Sequence, residues 1–243
     1  MNAKLVEVFL DTQEKVKILN TKTITTKHNS SDILYPDFDE HIKNVKVINS
    51  DSVSAVVEYA KKGKTTVLNM ASFKKPGGGV RNGARAQEEC LFRCSNLATI
   101  STDFYPLDID EALYTKDSIF IKDFNYNDID TVTCDTVTVP AINLNNNARY
   151  DDLQDNLEYE KVTKNKMRLM LSLCITNNVS NVILGSWGCG VFKNEPQIMA
   201  QYFKDVIEEG YNKFDNIIFA IINDHNSVDN NFKVFKDVLA VSK

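Results

Sequence analysis

The chain has 243 residues, of which 43% are hydrophobic and 25% charged, a composition that excludes a disordered or fibrous protein and suits one sizeable α/β core. Its net charge of −5 argues against a protein that binds nucleic acid over a broad basic face. The 5 cysteines form no CxxC pair, and no stretch reaches the roughly 18 apolar residues of a membrane span. We therefore expect a cytoplasmic or nuclear protein without a disulfide framework or a Cys-rich zinc site, and we take it to be a monomer that needs no cofactor.

The first 35 or so residues predict a helix at about residues 5–19, followed by a Thr/Ser-rich connector that contains His28. Such a segment is expected to cover one side of a core. We therefore divide the chain into a helical N-terminal extension, residues 1–40, and a main domain, residues 41–243.

A strand, a helix and a second strand are predicted next. Alternating valines at 45 and 47 indicate the first strand, and Asp51 or Ser52 is a suitable N-cap for a helix with apolar residues at 53, 56, 57 and 60. Gly63 is expected to close that helix, and residues 65–70 form the second strand. This βαβ pattern predicts that the two strands pair in parallel.

The rest of the chain alternates in the same way. Helices are predicted at residues 87–100, 158–178 and 197–210, and strands at 118–121, at 135–141, in NVILGSW and in NIIFAIIN. The polar run at residues 143–147 is expected to be a surface loop. Alternating strands and helices predict a mixed α/β sheet with helices on both faces.

Seven of the 9 glycines lie in two short windows, residues 77–83 and 185–190. Each window follows a predicted strand, so both are expected at the carboxyl edge of the sheet, where α/β proteins bind ligands. Backbone amides of such loops can hold a diphosphate, although tight turns alone would also explain the glycines. Neither window contains GxxxxGK[ST], and GGGVRNG is a poor GxGxxG, which disfavours P-loop and dinucleotide-binding proteins.

Gln87, Glu88 and Glu89 follow the first window. Neighbouring helical residues point about 100° apart, so the two glutamates can face one spot only at a helix start or in a loop. Both carboxylates could simply favour the positive end of the following helix. Alternatively one is a general acid, which requires burial or a nearby anion to raise its pKa from about 4.3 towards 6 or 7.

Three of the five arginines, Arg81, Arg85 and Arg93, lie in the same segment. They indicate local binding of an anionic ligand, although exposed loop cations are usually only solvated.

The stretch VLNMASFKKPGGGVRNGARAQEECLFRCSNL resembles the signature region of the microbial-type poly(ADP-ribose) glycohydrolases, macrodomain enzymes marked by GGG, six to eight residues, then QEE. A second block, VILGSWGCGVFKNEPQIMAQYF, resembles that family's second loop, and the resemblance runs from about residue 47 to 224. It implies a macrodomain-like three-layer α/β/α sandwich that binds ADP-ribose at the carboxyl edge of its sheet, with no metal.

The resemblance also implies roles for individual residues. Asn69 would bond the distal ribose, and Gly77, Gly78 and Gly79 would approach that ribose and the diphosphate. Glu88 would hold ribose hydroxyls and Glu89 would be the catalytic acid, with Gln87 grouped among the ligand-binding residues.

In the second loop, Gly188, Cys189, Gly190 and Val191 would surround the phosphates and Phe192 would press on the distal ribose. Trp187 fits a core position better than a ligand cover. A nucleophilic role for Cys189 is disfavoured, since no His shows a motif relation to it; the candidates are His28, His41 and His225. Asp224 is a candidate contact for adenine.

Three functions stay open. The first is hydrolysis of poly(ADP-ribose) on modified proteins, from the free end, with release of ADP-ribose. The second is a macrodomain reader that binds ADP-ribose without turnover, and the third removes a single ADP-ribose from an acceptor. The intact Glu88–Glu89 pair beside three glycines favours an enzyme.

Overall fold

The computed structural model describes residues 2–37, 44–145, 157–222 and 230–240. Within them, seven strands form one mixed sheet in the order β1-β4-β5-β3-β6-β7-β2. Strands β1, β4 and β5 are antiparallel neighbours, whereas β5, β3, β6, β7 and β2 run parallel. The strands are β1 (Ile24–His28), β2 (Val45–Ile48), β3 (Thr65–Asn69), β4 (Ala112–Lys122), β5 (Asp128–Thr138), β6 (Asn181–Leu184) and β7 (Asn216–Ala220).

Helices cover both faces of the sheet, as the sequence predicts. The helices are α1 (Ala3–Leu19), α2 (Ser52–Tyr59), α3 (Gln87–Cys94), α4 (Leu157–Thr176), α5 (Pro196–Glu208) and α6 (Asn231–Leu239). Two apolar clusters separate the layers: α1, α2 and α3 pack with Val67 and Ile183 on one face, and α4, α5 and α6 pack with Leu68 and Leu184 on the other. Alternate strand residues therefore serve opposite cores, because side chains alternate along a strand.

The predicted pairing of the first two strands of the main domain is wrong in one respect. β2 and β3 are parallel, but β2 pairs with β7, and both β7 and β6 lie between it and β3. The connection from β2 to β3 contains the predicted helix, α2. Asp51 caps this helix by accepting a hydrogen bond from the Ser54 amide at 2.8 Å. β2 instead takes the edge position.

Helix α3 is shorter than the sequence predicts. Ser95 is extended, its hydroxyl donates to the Leu91 carbonyl at 2.7 Å, and its backbone bridges to Phe120. These contacts end the α-helix at Cys94, and a 3-10 turn, Asn96–Thr99, follows. The apolar side chains of Leu91, Cys94 and Leu97 are buried on both sides of this break.

The N-terminal segment takes part in the main sheet. The connector around His28 contains β1, whose Thr25 hydroxyl lies 3.0 Å from that of Thr115 on β4, and α1 buries Phe9 against the α3 side. The boundary at residue 40 stays a prediction. Strands β4 and β5 also begin earlier than expected, and α6 was not predicted.

The fold brings the two glycine windows together. β3 ends at Asn69, β6 ends at Leu184, and these strands are parallel neighbours. Their carboxyl ends therefore lie side by side at one edge of the sheet, and both loops begin there. No described helix is long and apolar enough to cross a membrane.

Candidate active site

The first glycine loop folds back onto the start of α3, where both glutamates contact it. Glu88 and Glu89 are the second and third residues of the helix, and both side chains are buried. At a helix start the carboxylates are free to turn towards the preceding loop, since no earlier turn covers them. Two adjacent glutamates therefore contact the same loop, the arrangement that the sequence analysis allowed only at a helix start or in a loop.

Glu88 is held by three N–H donors. Its Oε1 accepts from Asn69 Nδ2 at 3.3 Å and from the Gly77 amide at 3.1 Å, and its Oε2 accepts from the Ser72 amide at 2.7 Å. Burial raises the pKa of Glu88 to about 7, and the neighbouring Glu89 charge adds to the increase, while the hydrogen bonds oppose it. The side chain is therefore fixed in orientation, and it holds its proton more tightly than an exposed glutamate.

Glu89 has one oxygen anchored and one available. Its Oε1 accepts from the Gly79 amide at 2.8 Å. Its Oε2 is buried and has no hydrogen-bond partner among the described residues. A buried carboxylate oxygen normally has a partner, so this atom is placed to bond a ligand group.

Gly78 lies between the two carboxylates and must lack a side chain. Its φ is +50°, and a Cβ there would lie 2.7 Å from Glu89 Oε1 and 3.0 Å from Glu88 Oε2. Gly77 also has a positive φ, +73°, and a Cβ on it would overlap the Phe92 ring. At least part of the reason for the glycines is therefore the close approach of the glutamates.

Gln87 connects α3 to the end of β3. Its Oε1 accepts from the Met70 amide at 2.9 Å, and its Nε2 donates to the Leu68 carbonyl at 2.6 Å and to the Ser52 hydroxyl at 3.1 Å. All polar atoms of the side chain are thus used within the protein. Gln87 holds the loop and helix in register, and its predicted contact with ligand stays a prediction.

Asn69 and Tyr105 supply two further buried polar atoms without partners. Asn69 Oδ1 and the Tyr105 hydroxyl, like Glu89 Oε2, have no hydrogen-bond partner among the described residues. Burial, and then the Glu88 charge, raise the pKa of Tyr105. Sequence reasoning missed Tyr105 because it belongs to no motif. A hydrogen bond from the Leu107 N–H to the Phe73 carbonyl joins its segment to the residues that precede the glycine loop.

The second glycine loop is braced by Asn194. Its side-chain amide donates to the Ile142 carbonyl at 2.8 Å and to the Gly188 carbonyl at 3.0 Å. A Cβ on Gly188 would lie 2.6 Å from Asn194 Nδ2, whereas a Cβ on Gly190 would meet no atom within 4 Å. The loop is therefore packed on its inner side at Gly188 and open at Gly190.

A cleft of about 730 Å³ lies between the start of α3 and the second glycine loop. The residues that line it do not include the glycines of the first loop or the two glutamates, Gly77, Gly78, Gly79, Glu88 and Glu89. Gln87 and Arg85 line it from the α3 side, and Gly188, Gly190 and Phe192 from the second loop. It extends to Asp51 at the start of α2 and to Ile222 beyond β7, so it follows the carboxyl edge of the sheet. This volume falls in the usual range for small-molecule sites.

Residues 4–124, about half of the chain, match the family model described as microbial-type PARG, catalytic domain. The chain belongs to this family, the microbial-type poly(ADP-ribose) glycohydrolases (PARGs). It is thereby a glycoside hydrolase that acts on poly(ADP-ribose), as the sequence motifs predict. A search of curated proteins found no match.

Solved structures of bacterial PARGs share the fold. The PARG of Thermomonospora curvata is 21% identical with a TM-score of 0.84, over 98% of this chain and 100% of that one. Its complex with the inhibitor ADP-HPD is 21% identical with a TM-score of 0.82, over 97% and 99%. The Deinococcus radiodurans PARG in complex with ADP-ribose is 23% identical with a TM-score of 0.78, over 89% and 94%. The predicted α/β fold class is confirmed.

Of the three arginines that the sequence suggests for anion binding, Arg93 is not available to a ligand. Arg93 is fully buried: its guanidinium donates to the carbonyls of Leu5 and Ala84 and stacks at 5.9 Å on the Tyr126 ring. It joins α1, the glycine loop and the β4–β5 hairpin, and its expected role in anion binding is wrong. Arg81 and Arg85 are exposed.

The other candidates are placed as follows. Trp187 is fully buried, and its indole N–H donates to the Val139 carbonyl at 2.9 Å, so it is a core residue of this PARG fold. His28 lies on the edge strand β1 and bonds Asp32 at 3.2 Å. His41, Asp224 and His225 lie outside the described residues, as does the predicted surface loop beyond residue 145. The described residues contain no group of three or more side chains able to hold a metal ion.

Proposed function

We propose that this PARG cleaves poly(ADP-ribose) from its free end and releases ADP-ribose, with Glu89 as the general acid and base. One observation carries the proposal: Glu89 is fixed to the glycine loop through Oε1 while its buried Oε2 has no partner among the described residues. A proton on that oxygen would have no acceptor within the described protein. The leaving oxygen of a glycosidic bond would be the acceptor for this proton.

Cleavage of a ribose–ribose bond passes through an oxocarbenium-like state. A proton from Glu89 Oε2 would neutralise the departing oxygen as the bond breaks, and the resulting carboxylate would then take a proton from the attacking water. The Gly79 amide would stabilise that carboxylate in both steps. One glutamate can thus serve as acid and base.

Glu88 would orient the sugar rather than attack it. Its two oxygens already accept three N–H bonds, which fixes its position and leaves one of about four lone-pair sites open. Glu88 could accept a bond from one ribose hydroxyl there, and Asn69 Oδ1 could accept a bond from another. The distal ribose would then lie over Glu88, Asn69 and Tyr105.

The phosphates would lie between the two loops. Gly190 is open to the cleft, and Phe192 and Gly188 line the same wall. The ADP-ribose seen in the D. radiodurans structure and the ADP-HPD seen in the T. curvata structure support an ADP-ribose unit in this cleft. Cys189, Val191 and the Gly78 amide complete the proposed contacts, without a nucleophilic role for the thiol. The amides of Gly77 and Gly79 already donate to Glu88 and Glu89, so these two glycines would approach the ligand without donating to it.

A reader without turnover is the main alternative. It would need the same carboxylates for ligand contact, so the unpartnered Glu89 Oε2 suits both functions. The match to a catalytic-domain family favours turnover. Removal of a single ADP-ribose would use the same cleft, and a comparison of substrates separates it from polymer cleavage. We further propose that the protein is a monomer of the cytoplasm or nucleus that acts on modified proteins.

The test compares wild type with Glu89→Gln and Glu89→Ala on automodified poly(ADP-ribose) polymerase. Gln keeps an oxygen to accept the Gly79 bond, so it separates loss of the proton from loss of the anchor. We expect both variants to lose release of ADP-ribose by about 100-fold or more while the affinity for free ADP-ribose stays near that of wild type. Equal release by all three proteins would overturn the assignment, and binding without release by wild type would favour the reader.

A further inference from the structure

Four cations surround the glycine loop on its exposed side. Lys74 and Lys75 precede Gly77, Arg81 follows Gly79 by two residues, and Arg85 follows the loop; all four side chains are exposed. We call Lys74, Lys75, Arg81 and Arg85 the basic rim. In a chain of net charge −5, this concentration of positive charge is local.

The basic rim has no carboxylate of the described residues within ion-pair distance. None of its four residues forms an ion pair with a described residue, although most lysines and arginines elsewhere that carry a resolved contact are paired with carboxylates. Between residues 70 and 101 the only acids are Glu88 and Glu89, and both are buried behind the loop. The exposed surface of this segment therefore carries positive charge alone.

Exposed aromatic surface adjoins the same cations. Phe73 is 37% exposed, and the Lys74 ammonium lies 5.6 Å from the centre of its ring. Arg81 lies over the Phe9 ring at 5.5 Å, which holds its guanidinium beside the loop. A surface with cations and a ring face suits a ligand that has phosphates and purine bases, as single-stranded nucleic acid sites do.

The basic rim lies close to the glycines that hold the two glutamates, and so close to the place where the leaving group would depart. Lys75 and Arg81 are each two residues from the glycines that bond the two glutamates, so their Cα atoms lie within about 7 Å of those glycines. If Glu89 protonates the departing oxygen, the remainder of the polymer leaves past this loop. Each remaining unit carries two phosphates and one adenine.

We infer that the basic rim, with Phe73, binds the ADP-ribose units of the polymer that follow the cleaved bond. This inference rests on the proposed function and adds its substrate preference: polymer is bound more tightly than single ADP-ribose, and the difference is electrostatic. The units beyond the cleavage point would be held by Lys74, Lys75 and Arg81 through their phosphates, with an adenine against Phe73.

The test uses Glu89→Gln as background so that polymer is not consumed. Lys74→Glu with Lys75→Glu is compared with Lys61→Glu and Lys62→Glu, a second adjacent pair of exposed lysines. The control pair follows the carboxyl end of α2, before β3 begins, and therefore lies at the opposite edge of the sheet. Binding of size-fractionated poly(ADP-ribose) and of free ADP-ribose is measured by fluorescence competition over a range of salt.

We expect the variant of Lys74 and Lys75 to bind polymer about tenfold more weakly at low salt, with a salt slope shallower by about 1.4 for two lost phosphate contacts. Its affinity for free ADP-ribose should stay within about twofold of the background protein, and the control pair should match the background for both ligands. Phe73→Ala should weaken polymer binding alone.

Three outcomes would overturn the inference: unchanged polymer binding in the Lys74 and Lys75 variant, an equal loss for polymer and free ADP-ribose, or an equal loss in the control pair. Failure of the proposed function is seen separately, in the release of ADP-ribose by the wild type. Release by the wild type together with unaltered polymer binding by the rim variant overturns only the inference.

Discussion

The amide of Gly79 donates a 2.8 Å hydrogen bond to Oε1 of Glu89, ten residues further along the chain. A matching bond joins the Gly77 amide to Glu88. The glycine loop and the helix start are thus one structural unit, in which backbone amides hold two carboxylates and leave one oxygen for a ligand. Four further predictions follow from its geometry.

Gly78→Ala should lower both stability and activity. A residue other than glycine in left-handed backbone costs about 1–2 kcal/mol. The added Cβ would lie 2.7 Å from Glu89 Oε1, so the carboxylate would have to move. A shift of this kind in a catalytic group can reduce turnover about 100-fold. Gly190→Ala is the control in the opposite loop, because its Cβ would meet no atom within 4 Å. Thermal unfolding is measured for both variants and release of ADP-ribose for Gly78→Ala; equal stability of the two variants would contradict the prediction.

Ionisation of the buried Glu88 should lower the free energy of unfolding as pH rises from 4.5 to 7. Its pKa in the folded protein is about 7, against 4.5 as the ordinary value, so the folded state holds more protons in this window. The stability contributed below pH 4.5 is then lost as pH rises through 7, with a slope of at most about −1.4 kcal/mol per pH unit.

Urea denaturation of wild type and Glu88→Gln at several pH values between 4.5 and 8 measures this slope. The amide variant will differ by a constant amount, since its NH₂ faces N–H donors, but that offset does not depend on pH. We expect a flatter profile for the variant. Parallel profiles would mean that Glu88 is ionised across the whole window.

Gln87→Ala should destabilise the fold by about 1–3 kcal/mol, because it leaves the Met70 amide and the Leu68 carbonyl without their side-chain partner. Gln201→Ala is a matched control: its side chain is exposed and bonds only Asp205, at 2.7 Å. That change should cost less than about 0.5 kcal/mol. If Gln87→Ala kept full stability and lost only ADP-ribose affinity, the residue would be a ligand contact instead of a structural connection.

Tyr105→Phe should leave the free protein as stable as wild type, or up to about 1–2 kcal/mol more stable, since the buried hydroxyl has no partner among the described residues. We expect the affinity for ADP-ribose to fall, because the ligand would supply the missing partner. Tyr114→Phe gives the contrast: its hydroxyl bonds Asp135 at 2.7 Å and Thr66 at 3.0 Å, so the same deletion should destabilise. Similar losses of stability in both variants would show that the Tyr105 hydroxyl is bonded within the protein.

Local signals in the sequence predicted much of the fold. The Asp51 cap, the helical spacing of α2 and α5 and the apolar runs of β6 and β7 were read directly, because each element satisfies its own backbone and shows its buried face in its periodicity. The edge strand β1 was missed, since four of its five residues are polar, its one apolar residue is exposed, and it lacks a periodic apolar face. The order of the strands was also not accessible, because β2 reaches its place only by pairing with β7.

The sequence by itself determined which groups are present at the site: two glycine windows after two strands, and Gln87, Glu88 and Glu89 at a spacing typical of the microbial-type PARGs. Only the tertiary structure decided what each group does. Adjacent glutamates meet the same loop because the helix begins there, Gln87 is used to join β3 to α3, and Arg93 is buried under α1. The physical reason is that hydrogen-bond partners and burial depend on residues distant in the chain, whereas composition and periodicity report only near neighbours.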